Sequence, residues 1–465
     1  MSDTRASRRA ARTRSASWFW WALAGVAVVG LAVRIAYILG WHRDYVFGGD
    51  PFFYHAGANL LADGKGFISP YSPPHHPIAA SDHPPLYMLY LAIPSVLGLQ
   101  SVLTHMLWSA VLGTGTVVLV GLTGREVGGP RLGIIAAVLA AVAPNIWVSD
   151  GLLRAESMAM FTVALALYLS YRYWRRPTGW GLAAVGAAGG AAALSRAELV
   201  LIIPLLVVPL AVLAPGPTRR QRWAGIGAGL LAALVLMSPW LVFNLTRFEK
   251  PELLSTSFGP LLATTSCDQV WNSDNKSYFS IACTVAIQKR EGKPGDDESQ
   301  LDAIYRHAGL EYIKHHKHQL PGVVAARAAA IVGLYHPDLQ IRIDSSRGVE
   351  KSELAIARAI MYTFYALAVL AIVGAVVLRR RRTAPVFPLL VPPVVVMVTV
   401  IIGYAAMRFR APADLALCIL AAVALDAAIN AATGRGRGSE PGTSAPGSKT
   451  DAVEVSPVGS DPAAR

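Results

Sequence analysis

The sequence predicts an all-α polytopic membrane protein with about ten transmembrane helices and a small extracytoplasmic domain. Three observations predict this class. Hydrophobic residues make up 54% of the 465 residues and charged residues only 15%, whereas soluble domains carry roughly 25% charged residues. The mean hydropathy is +0.43. The apolar residues also fall into runs of about 20, the length that crosses a bilayer as a helix.

The same composition excludes several other classes. A disordered chain is excluded because the apolar content is too high, and three Cys cannot hold together a disulfide scaffold of this size. The chain carries 42 basic and 29 acidic residues, for a net charge of +13. These basic residues lie between long apolar runs rather than on a polar surface, so we expect no nucleic-acid partner.

Ten apolar runs are the predicted spans. They lie at residues 18–39, 101–123, 132–149, 155–173, 179–195, 197–214, 223–245, 355–378, 385–404 and 411–431. The fifth run is rich in Gly and Ala, which predicts close packing against its neighbours. A shorter apolar stretch, 85–99, begins at a Pro-Pro pair, and we interpret it as a helix at the membrane face or a re-entrant segment. The first span has no small-residue cleavage site after it, so we expect an uncleaved anchor.

Basic residues in the short loops predict the orientation. With a cytoplasmic N-terminus, every short basic cluster falls on the inner side, as the positive-inside rule requires. These clusters are Arg5 to Arg14, Arg125 and Arg131, Arg175 and Arg176, Arg219 to Arg222, Arg379 to Arg382, and Arg435 with Arg437. Both termini are therefore predicted to be cytoplasmic in a multi-pass protein of the cell membrane.

The spans divide the chain into five predicted parts. They are a basic cytoplasmic tail (1–17), a transmembrane catalytic module (18–246) with an extracytoplasmic loop (40–100), an extracytoplasmic domain (247–354), the C-terminal transmembrane helices (355–432) and a disordered cytoplasmic tail (433–465). Cys267 and Cys283 both lie in the outer domain, where an oxidising compartment favours a structural disulfide; two free thiols are the alternative.

Ionisable residues at the outer ends of the spans indicate a functional site, because a charge in the membrane is costly. They come from distant parts of the chain but map to one face: Asp50, Asp82, His83, Arg154, Glu156, Arg196, Glu198, Arg408 and Arg410. Guanidinium groups match phosphate oxygens, and a carboxylate beside them suits a general base. Helix-end anchors and ion pairs are the alternative for any one Arg, and a turn or N-cap role is the alternative for Asp50.

The order of these residues resembles the GT-C glycosyltransferases. More narrowly, it resembles the protein O-mannosyltransferase and aminoarabinose transferase superfamily, which is glycosyltransferase family 39-like. The matching pieces are Asp50 after the first span, His83-Pro84-Pro85-Leu86-Tyr87 before the second, Leu153-Arg154-Ala155-Glu156, Leu194-Ser195-Arg196-Ala197-Glu198, Ser238-Pro239-Trp240 with Asn244 and Arg247, and Arg408-Phe409-Arg410-Ala411-Pro412. Together they cover roughly residues 18–431.

The resemblance implies an integral membrane enzyme that moves a sugar from a polyprenyl-phosphate donor to an extracytoplasmic acceptor. Asp50 would deprotonate the acceptor hydroxyl for an inverting displacement. The residues implied to bind the lipid phosphate are His83, Arg196, Arg408 and Arg410, and those implied to shape the sugar or acceptor site are Asp82 and Glu156. Arg154 and Glu198 complete the predicted substrate-binding set.

Two positions depart from the family's pattern. Pro51 stands where a second acid follows in the protein O-mannosyltransferases, and His83 stands where the aminoarabinose enzymes have Lys. A neutral His binds phosphate less well than a Lys does.

The side of the membrane supports the donor class independently. Nucleotide sugars are confined to the cytoplasm, so an outer site needs a sugar that arrives activated in the membrane. The single charge of a phosphodiester can be neutralised by Arg side chains, so we expect no cofactor and no metal. Mannose or a pentose is the candidate sugar, and the acceptor is a protein, a glycolipid or a cell-wall glycan. The Arg- and Ala-rich composition is typical of a GC-rich bacterial genome.

Two other functions compete with this one. A transporter or flippase of a lipid-linked or anionic substrate is expected to show inverted repeats and charges near the middle of the membrane, and the sequence shows neither. A structural or assembly protein, with 247–354 as a partner-binding domain, fits the size of that segment but leaves the outer acidic and basic residues unexplained.

Overall fold

A computed structural model gives the architecture and describes residues 3–43, 48–73, 75–345 and 351–434. In these ranges every regular element is a helix, apart from one isolated antiparallel bridge between Ile68 and Ala79. The all-α fold class is confirmed. Most of the predicted C-terminal tail, from residue 435 onward, lies outside the described residues.

The helices of the first half of the chain are α1 (Asp3–Tyr37, continued by the π-helical turn Ile38–His42), α2 (Asp50–Ala62), α3 (Leu86–Val96), α4 (Val102–Gly128), α5 (Pro130–Val142), α6 (Pro144–Gly151), α7 (Glu156–Arg175), α8 (Gly181–Ala193), the 3₁₀ turn Ala197–Leu201, α9 (Ile202–Leu213) and α10 (Arg219–Arg247).

The helices of the second half are α11 (Phe258–Thr265), α12 (Asp268–Trp271), α13 (Ile281–Glu291), α14 (Glu298–His315), α15 (Leu320–Ile331), α16 (Pro337–Ser345), α17 (Lys351–Arg381), α18 (Phe387–Ile402), the 3₁₀ turn Met407–Arg410 and α19 (Ala411–Ala432).

Five helices in the described ranges are long and apolar enough to cross a membrane, or six if the bent pair α5–α6 counts as one span. The five are Ser17–His42, Val102–Gly128, Arg219–Arg247, Leu354–Arg381 and Met407–Ala432. All coincide with predicted spans, which supports a multi-pass membrane protein.

The other four predicted spans are also helical. Three of them coincide with α8, α9 and α18, which have only 13, 12 and 16 residues. The fourth, α7, has 20 residues but carries charged residues at both ends. A total of ten spans therefore remains a prediction. Helix α3, in the stretch predicted not to cross, has 11 residues and is too short to span a bilayer.

Helix α8 packs closely against α10, as its Gly- and Ala-rich sequence predicts. A side chain at Gly186 would run into the backbone of Gly229, and one at Gly190 would lie 3.1 Å from the carbonyl oxygen of Ala233. Small residues thus let the two helix backbones touch, which is the usual basis of helix association in membranes.

A bend at Pro144 brings α6 against α1 and α4. The two helices α5 and α6 meet at an angle of 49°, because proline cannot continue the helical hydrogen bonding. Asp150 in α6 then accepts a hydrogen bond of 2.8 Å from Arg34 Nε, with both side chains fully buried. Gly113 in α4 makes room for this pair, since a side chain there would lie 2.6 Å from Arg34 Nε.

Helices α11 to α16 form the part of the chain predicted to lie outside the membrane. Its core centres on Trp271, which is fully buried and donates from Nε1 to the carbonyl of Thr265 at 2.9 Å. Cys267 and Cys283 form a disulfide. Arg327 in α15 donates both to that same Thr265 carbonyl at 2.7 Å and to the carbonyl of Ile401 at 3.1 Å, so it joins this part to the end of α18.

The chain divides after Ala427 into two compact units. Within the described residues, the first unit holds α1 to α18 and most of α19. The second holds the end of α19 and the two residues that follow it. The predicted boundaries of the catalytic module, the outer domain and the C-terminal spans remain predictions.

Candidate active site

Asp50 is the first residue of α2, and its carboxylate meets a guanidinium from the other end of the chain. Gly49 precedes it with φ at 63°, a left-handed conformation that favours glycine, and Pro51 fits the first turn because no backbone donor is needed there. Arg408 Nη1 donates to Asp50 Oδ2 at 2.9 Å. Gly49 occupies the N-cap position itself, so Asp50 is not simply a helix cap.

A chain of alternating charges runs from Asp50 through the site. Arg408 lies in the 3₁₀ turn between α18 and α19, and its Nε is 3.6 Å from Glu156 Oε1 at the start of α7. The same Glu156 oxygen accepts from Arg196 Nη1 at 2.8 Å. Arg196 Nε in turn donates to Glu198 Oε1 at 2.5 Å. The carboxylates therefore hold both guanidinium groups in place.

The two Arg side chains share one aromatic ring. The guanidinium carbon of Arg196 lies 4.8 Å from the centre of the Phe409 ring, and that of Arg408 lies 5.2 Å from it. Such cation–π contacts add to the ion pairs. The Arg408 side chain is only 10% exposed, and Coulomb attraction is stronger where water is scarce.

His83 completes the cluster on the side of α2. Its Nε2 lies 3.7 Å from Asp50 Oδ1 and 3.6 Å from Asp82 Oδ2, and its ring stacks on Tyr54 with centres 5.1 Å apart. Burial disfavours the charged imidazole, but Asp82 and Asp50 outweigh it and raise the pKa of His83 to about 9. Burial likewise opposes ionisation of Asp50, but Arg408 and His83 hold its pKa well below the ordinary value.

The loop that carries Asp82 and His83 is fastened to the segment that follows α10. Ser257 Oγ donates to Asp82 Oδ1 at 2.6 Å, and Ser255 Oγ donates to the Asp82 carbonyl at 2.6 Å. Glu298, the first residue of α14, accepts from the Ser81 backbone N–H at 2.8 Å. The outer part of the chain therefore helps to position His83.

Seven of the nine predicted site residues come together in this way: Asp50, Asp82, His83, Glu156, Arg196, Glu198 and Arg408. Arg154 is buried two residues before α7 and interacts electrostatically with Glu156. Arg410 does not join them. It is buried, its Nη1 donates to the Ile331 carbonyl at 3.1 Å, and its guanidinium lies over the Phe364 ring.

The sequence did not predict Tyr54, Phe409 or Ser257 as participants in the site. Tyr54 stands one helical turn after Asp50, and that spacing could have indicated it. Phe409 lies between Arg408 and Arg410 in the sequence, and that position could also have indicated a role in the site. Ser257 gives no signal, because it is 175 residues from its partner Asp82.

The arrangement offers an ionised acid beside fixed cations. Such a site can accept a proton at Asp50 and can attract an anion to the imidazolium and guanidinium groups. Within the described ranges, no three His, Cys, Asp or Glu side chains form a group that could hold a metal ion.

Comparisons with known proteins match one segment of the sequence to a family model. Residues 82–243 match a family model described as dolichyl-phosphate-mannose-protein mannosyltransferase. No curated protein matches the sequence. The matched segment contains Asp82, His83, Glu156 and Arg196 of the candidate site.

Solved structures match over most of the chain. The apo oligosaccharyltransferase from Archaeoglobus fulgidus aligns with a TM-score of 0.53 and 13% identity, covering 89% of this chain and 51% of that chain. Oligosaccharyltransferase AglB from the same organism, in complex with an inhibitory peptide and a dolichol-phosphate, aligns with a TM-score of 0.52 and 16% identity, covering 91% and 52%. ArnT from Cupriavidus metallidurans bound to undecaprenyl phosphate gives a TM-score of 0.41 and 15% identity, covering 90% and 80%. The chain spans about half the length of the oligosaccharyltransferase structures.

Proposed function

The chain has the fold of the GT-C glycosyltransferases, and on that premise we propose that it is an integral membrane glycosyltransferase. It takes a sugar from a polyprenyl-phosphate donor and transfers it to an extracytoplasmic acceptor. The observation that carries the proposal is the contact of Asp50 with Arg408, 358 residues away, in a cluster that also holds His83 and Arg196. A base and three cations are the groups that such a transfer needs.

The proposed reaction is an inverting displacement. Asp50 accepts the proton of the acceptor hydroxyl as the acceptor oxygen attacks the anomeric carbon of the sugar. The bond between that carbon and the phosphate oxygen breaks, and the electron pair leaves with the lipid phosphate. His83, Arg196 and Arg408 stabilise the negative charge of this leaving group. Arg410 is left out of the set because it lies against Ile331 and Phe364.

The low pKa of Asp50 is compatible with a role as general base, because binding of the donor phosphate is expected to raise it. Arg408 is one of the groups that hold the pKa of Asp50 down in the free protein. A phosphate that binds Arg408 competes for the same guanidinium hydrogen bonds. The carboxylate then loses part of its stabilisation, its pKa rises, and it becomes a stronger base at the moment the donor is in place.

The proposed location of the site is the extracytoplasmic face, with both termini in the cytoplasm. The distribution of basic residues in the short loops supports this orientation. The proposed donor sugar is mannose or a pentose, and the proposed acceptor is a protein, a glycolipid or a cell-wall glycan. Deleting the gene and profiling the glycans and glycoproteins of the cell envelope would identify the missing sugar and the molecule that normally carries it.

The test of the mechanism is Asp50→Asn, which keeps the size of the side chain and removes the base. We expect transfer from a polyprenyl-phosphate sugar to fall by about 10²- to 10⁴-fold, the usual contribution of a general base. Asp63→Asn is the matched control, because Asp63 lies at the other end of α2 and its side chain is 46% exposed. Near-normal turnover in Asp50→Asn, at a normal expression level, would sink the mechanism.

A further inference from the structure

Four aromatic side chains form a continuous wall beside Arg408. The ring of Tyr404 lies 4.9 Å from Phe409, 4.7 Å from Phe279 and 5.5 Å from Tyr278, measured between centres. Tyr278 and Phe279 lie 4.5 Å apart. All four are only partly buried. Arg408 contacts the wall twice: its Nη2 lies 3.4 Å from the Tyr404 hydroxyl, and its guanidinium carbon lies 5.2 Å from the centre of the Phe409 ring.

The wall is assembled from two parts of the chain. Phe409 and Tyr404 belong to the connection between α18 and α19, whereas Tyr278 and Phe279 lie inside the loop closed by the disulfide between Cys267 and Cys283.

A backbone hydrogen bond joins the two parts, and a side chain of α16 also holds the disulfide loop. The Ala405 backbone N–H donates to the Ser277 carbonyl at 2.7 Å, and Gln340 Nε2 donates to Ser277 Oγ at 3.1 Å. The disulfide loop is therefore held at the edge of the site.

We propose that this aromatic wall is the stacking platform for the sugar ring of the donor. The inference rests on the proposed function and deepens it. A sugar ring carries C–H groups on its faces, and these pack against the flat face of an aromatic ring, while its hydroxyls remain free for polar contacts. Binding sites for small ligands typically combine such aromatic walls with a few placed polar groups.

The position of the wall assigns it to the donor rather than the acceptor. The sugar of the donor is bonded directly to the phosphate, and Arg408 and Arg196 are the proposed phosphate ligands. Both guanidinium groups lie on Phe409, the first ring of the wall. A sugar whose phosphate binds these two guanidinium groups would place its ring beside Phe409 and Tyr404, because Arg408 contacts Tyr404 through Nη2 and Asp50 through Nη1.

The test compares two probes: polyprenyl phosphate without a sugar, and polyprenyl phosphate carrying mannose or a pentose. We expect the intact protein to bind the sugar-bearing lipid about 3- to 10-fold more tightly, the range typical of aromatic contacts. Tyr278→Ala and Phe279→Ala should abolish this preference and leave the affinity for bare polyprenyl phosphate unchanged. Tyr278→Phe should retain it.

One control variant and one further test variant make the result specific to the wall. Tyr168→Ala removes a partly exposed tyrosine toward the C-terminal end of α7, whose hydroxyl accepts a hydrogen bond of 3.3 Å from Arg172 Nη1, and it should change neither affinity. Cys267→Ser combined with Cys283→Ser opens the loop and should reduce the sugar preference in the same way as the ring variants.

Several outcomes would overturn the inference. An intact preference in both alanine variants would do so, as would an equal loss of affinity for both lipids, or a higher KM for the acceptor with donor binding unchanged. A wild-type protein that binds neither lipid phosphate would instead refute the proposed function. The two failures are thus distinguishable in one experiment.

Discussion

The charge of the His83 side chain depends on its neighbours in the folded protein. As a neutral imidazole it would be a weaker phosphate ligand than the Lys of the aminoarabinose enzymes. In the structure its ring nitrogen faces Asp50 and Asp82, and burial is outweighed by these two carboxylates, so its pKa rises to about 9. At pH 7 it is therefore a cation. The sequence shows the residue type at position 83 but not its charge, because the charge depends on a tertiary contact.

This charge predicts an alkaline limit for the enzyme. The folded pKa of His83 is raised from about 6.5 to about 9, so its stabilising contribution is complete below pH 6.5 and is lost as the pH rises through 9. We expect kcat/KM for the lipid donor to fall above pH 9. His83→Gln should be less active at pH 7 and should lack this alkaline fall in a pH profile. A fall that persists unchanged in His83→Gln would mean that another group titrates.

Arg408 and Arg410 show how two residues of one motif can have different roles. A 3₁₀ helix has three residues per turn, so side chains two positions apart point in different directions. Arg408 reaches Asp50, while Arg410 is buried and reaches the carbonyl of Ile331. The sequence pattern groups Arg408 and Arg410 in one motif, because it contains no information about the tertiary contacts that separate them.

Substitutions of Arg408 and Arg410 should differ, one lowering the affinity for the lipid phosphate and the other the stability of the fold. Arg408→Lys loses the guanidinium fork and should weaken binding of polyprenyl phosphate by about 10-fold or more. Arg410→Lys should instead lower the free energy of unfolding by about 1–3 kcal/mol, since it disturbs a buried hydrogen bond. Lipid binding and thermal unfolding in detergent measure the two effects. The assignment is wrong if Arg410→Lys weakens lipid binding more than Arg408→Lys does.

Helix α14 acts on the site indirectly, through the loop that carries Asp82 and His83. Glu298 begins α14, accepts from Ser81 N–H at 2.8 Å and from Thr256 Oγ1 at 2.9 Å, and so ties the loop before His83 to the outer part of the chain. Burial raises its pKa to about 7. An acid with a raised folded pKa stabilises the fold most in its protonated form, and this contribution is lost as the pH rises from about 4.5 to 7.

Glu298 therefore predicts a difference between two substitutions. Glu298→Gln keeps an acceptor and removes the ionisation, so it should retain transfer activity and be more stable than the native protein at pH 8. Glu298→Ala leaves the Ser81 N–H without this acceptor and should lose about 1–3 kcal/mol of stability together with activity. Glu311→Ala, farther along α14 and more exposed, is the control. Equal behaviour of the Gln and Ala variants would contradict the role.

The helices predicted as membrane spans were predictable from the sequence, because each follows a run of apolar residues, whereas other helices such as α2, α14 and α16 were not predicted. The ends and the connections of the helices were not predictable. The bend between α5 and α6 follows from Pro144, but the hydrogen bonds of Glu298 and Ser257 to residues 81–82 join parts of the chain that no local pattern relates. The same is true of Tyr278 and Phe279, which reach the site only because the disulfide loop folds onto Ala405.

The orientation of the whole molecule in the membrane is predicted by its basic loop residues, and labelling of exposed positions on the two sides tests it. Thr178 lies in a predicted inner loop and Lys293 in the predicted outer domain, and both are exposed. We expect Lys293→Cys to react with a membrane-impermeant maleimide in intact cells, and Thr178→Cys to react only after the membrane is opened. The native cysteines give little background, since two are bonded and Cys418 is buried. The reverse labelling pattern would place the site in the cytoplasm.

The shortness of α8 has a consequence for how deep the reaction lies. With 13 residues it rises about 20 Å at most, whereas the hydrocarbon layer is about 30 Å thick. If α8 starts at the inner boundary, as its basic preceding loop predicts, Arg196 just beyond its end lies about 10 Å below the outer boundary. The donor phosphate must then descend from the headgroup plane into a protein-lined recess. A thicker bilayer lengthens this descent, so hydrophobic mismatch makes the lipid composition itself a determinant of donor access.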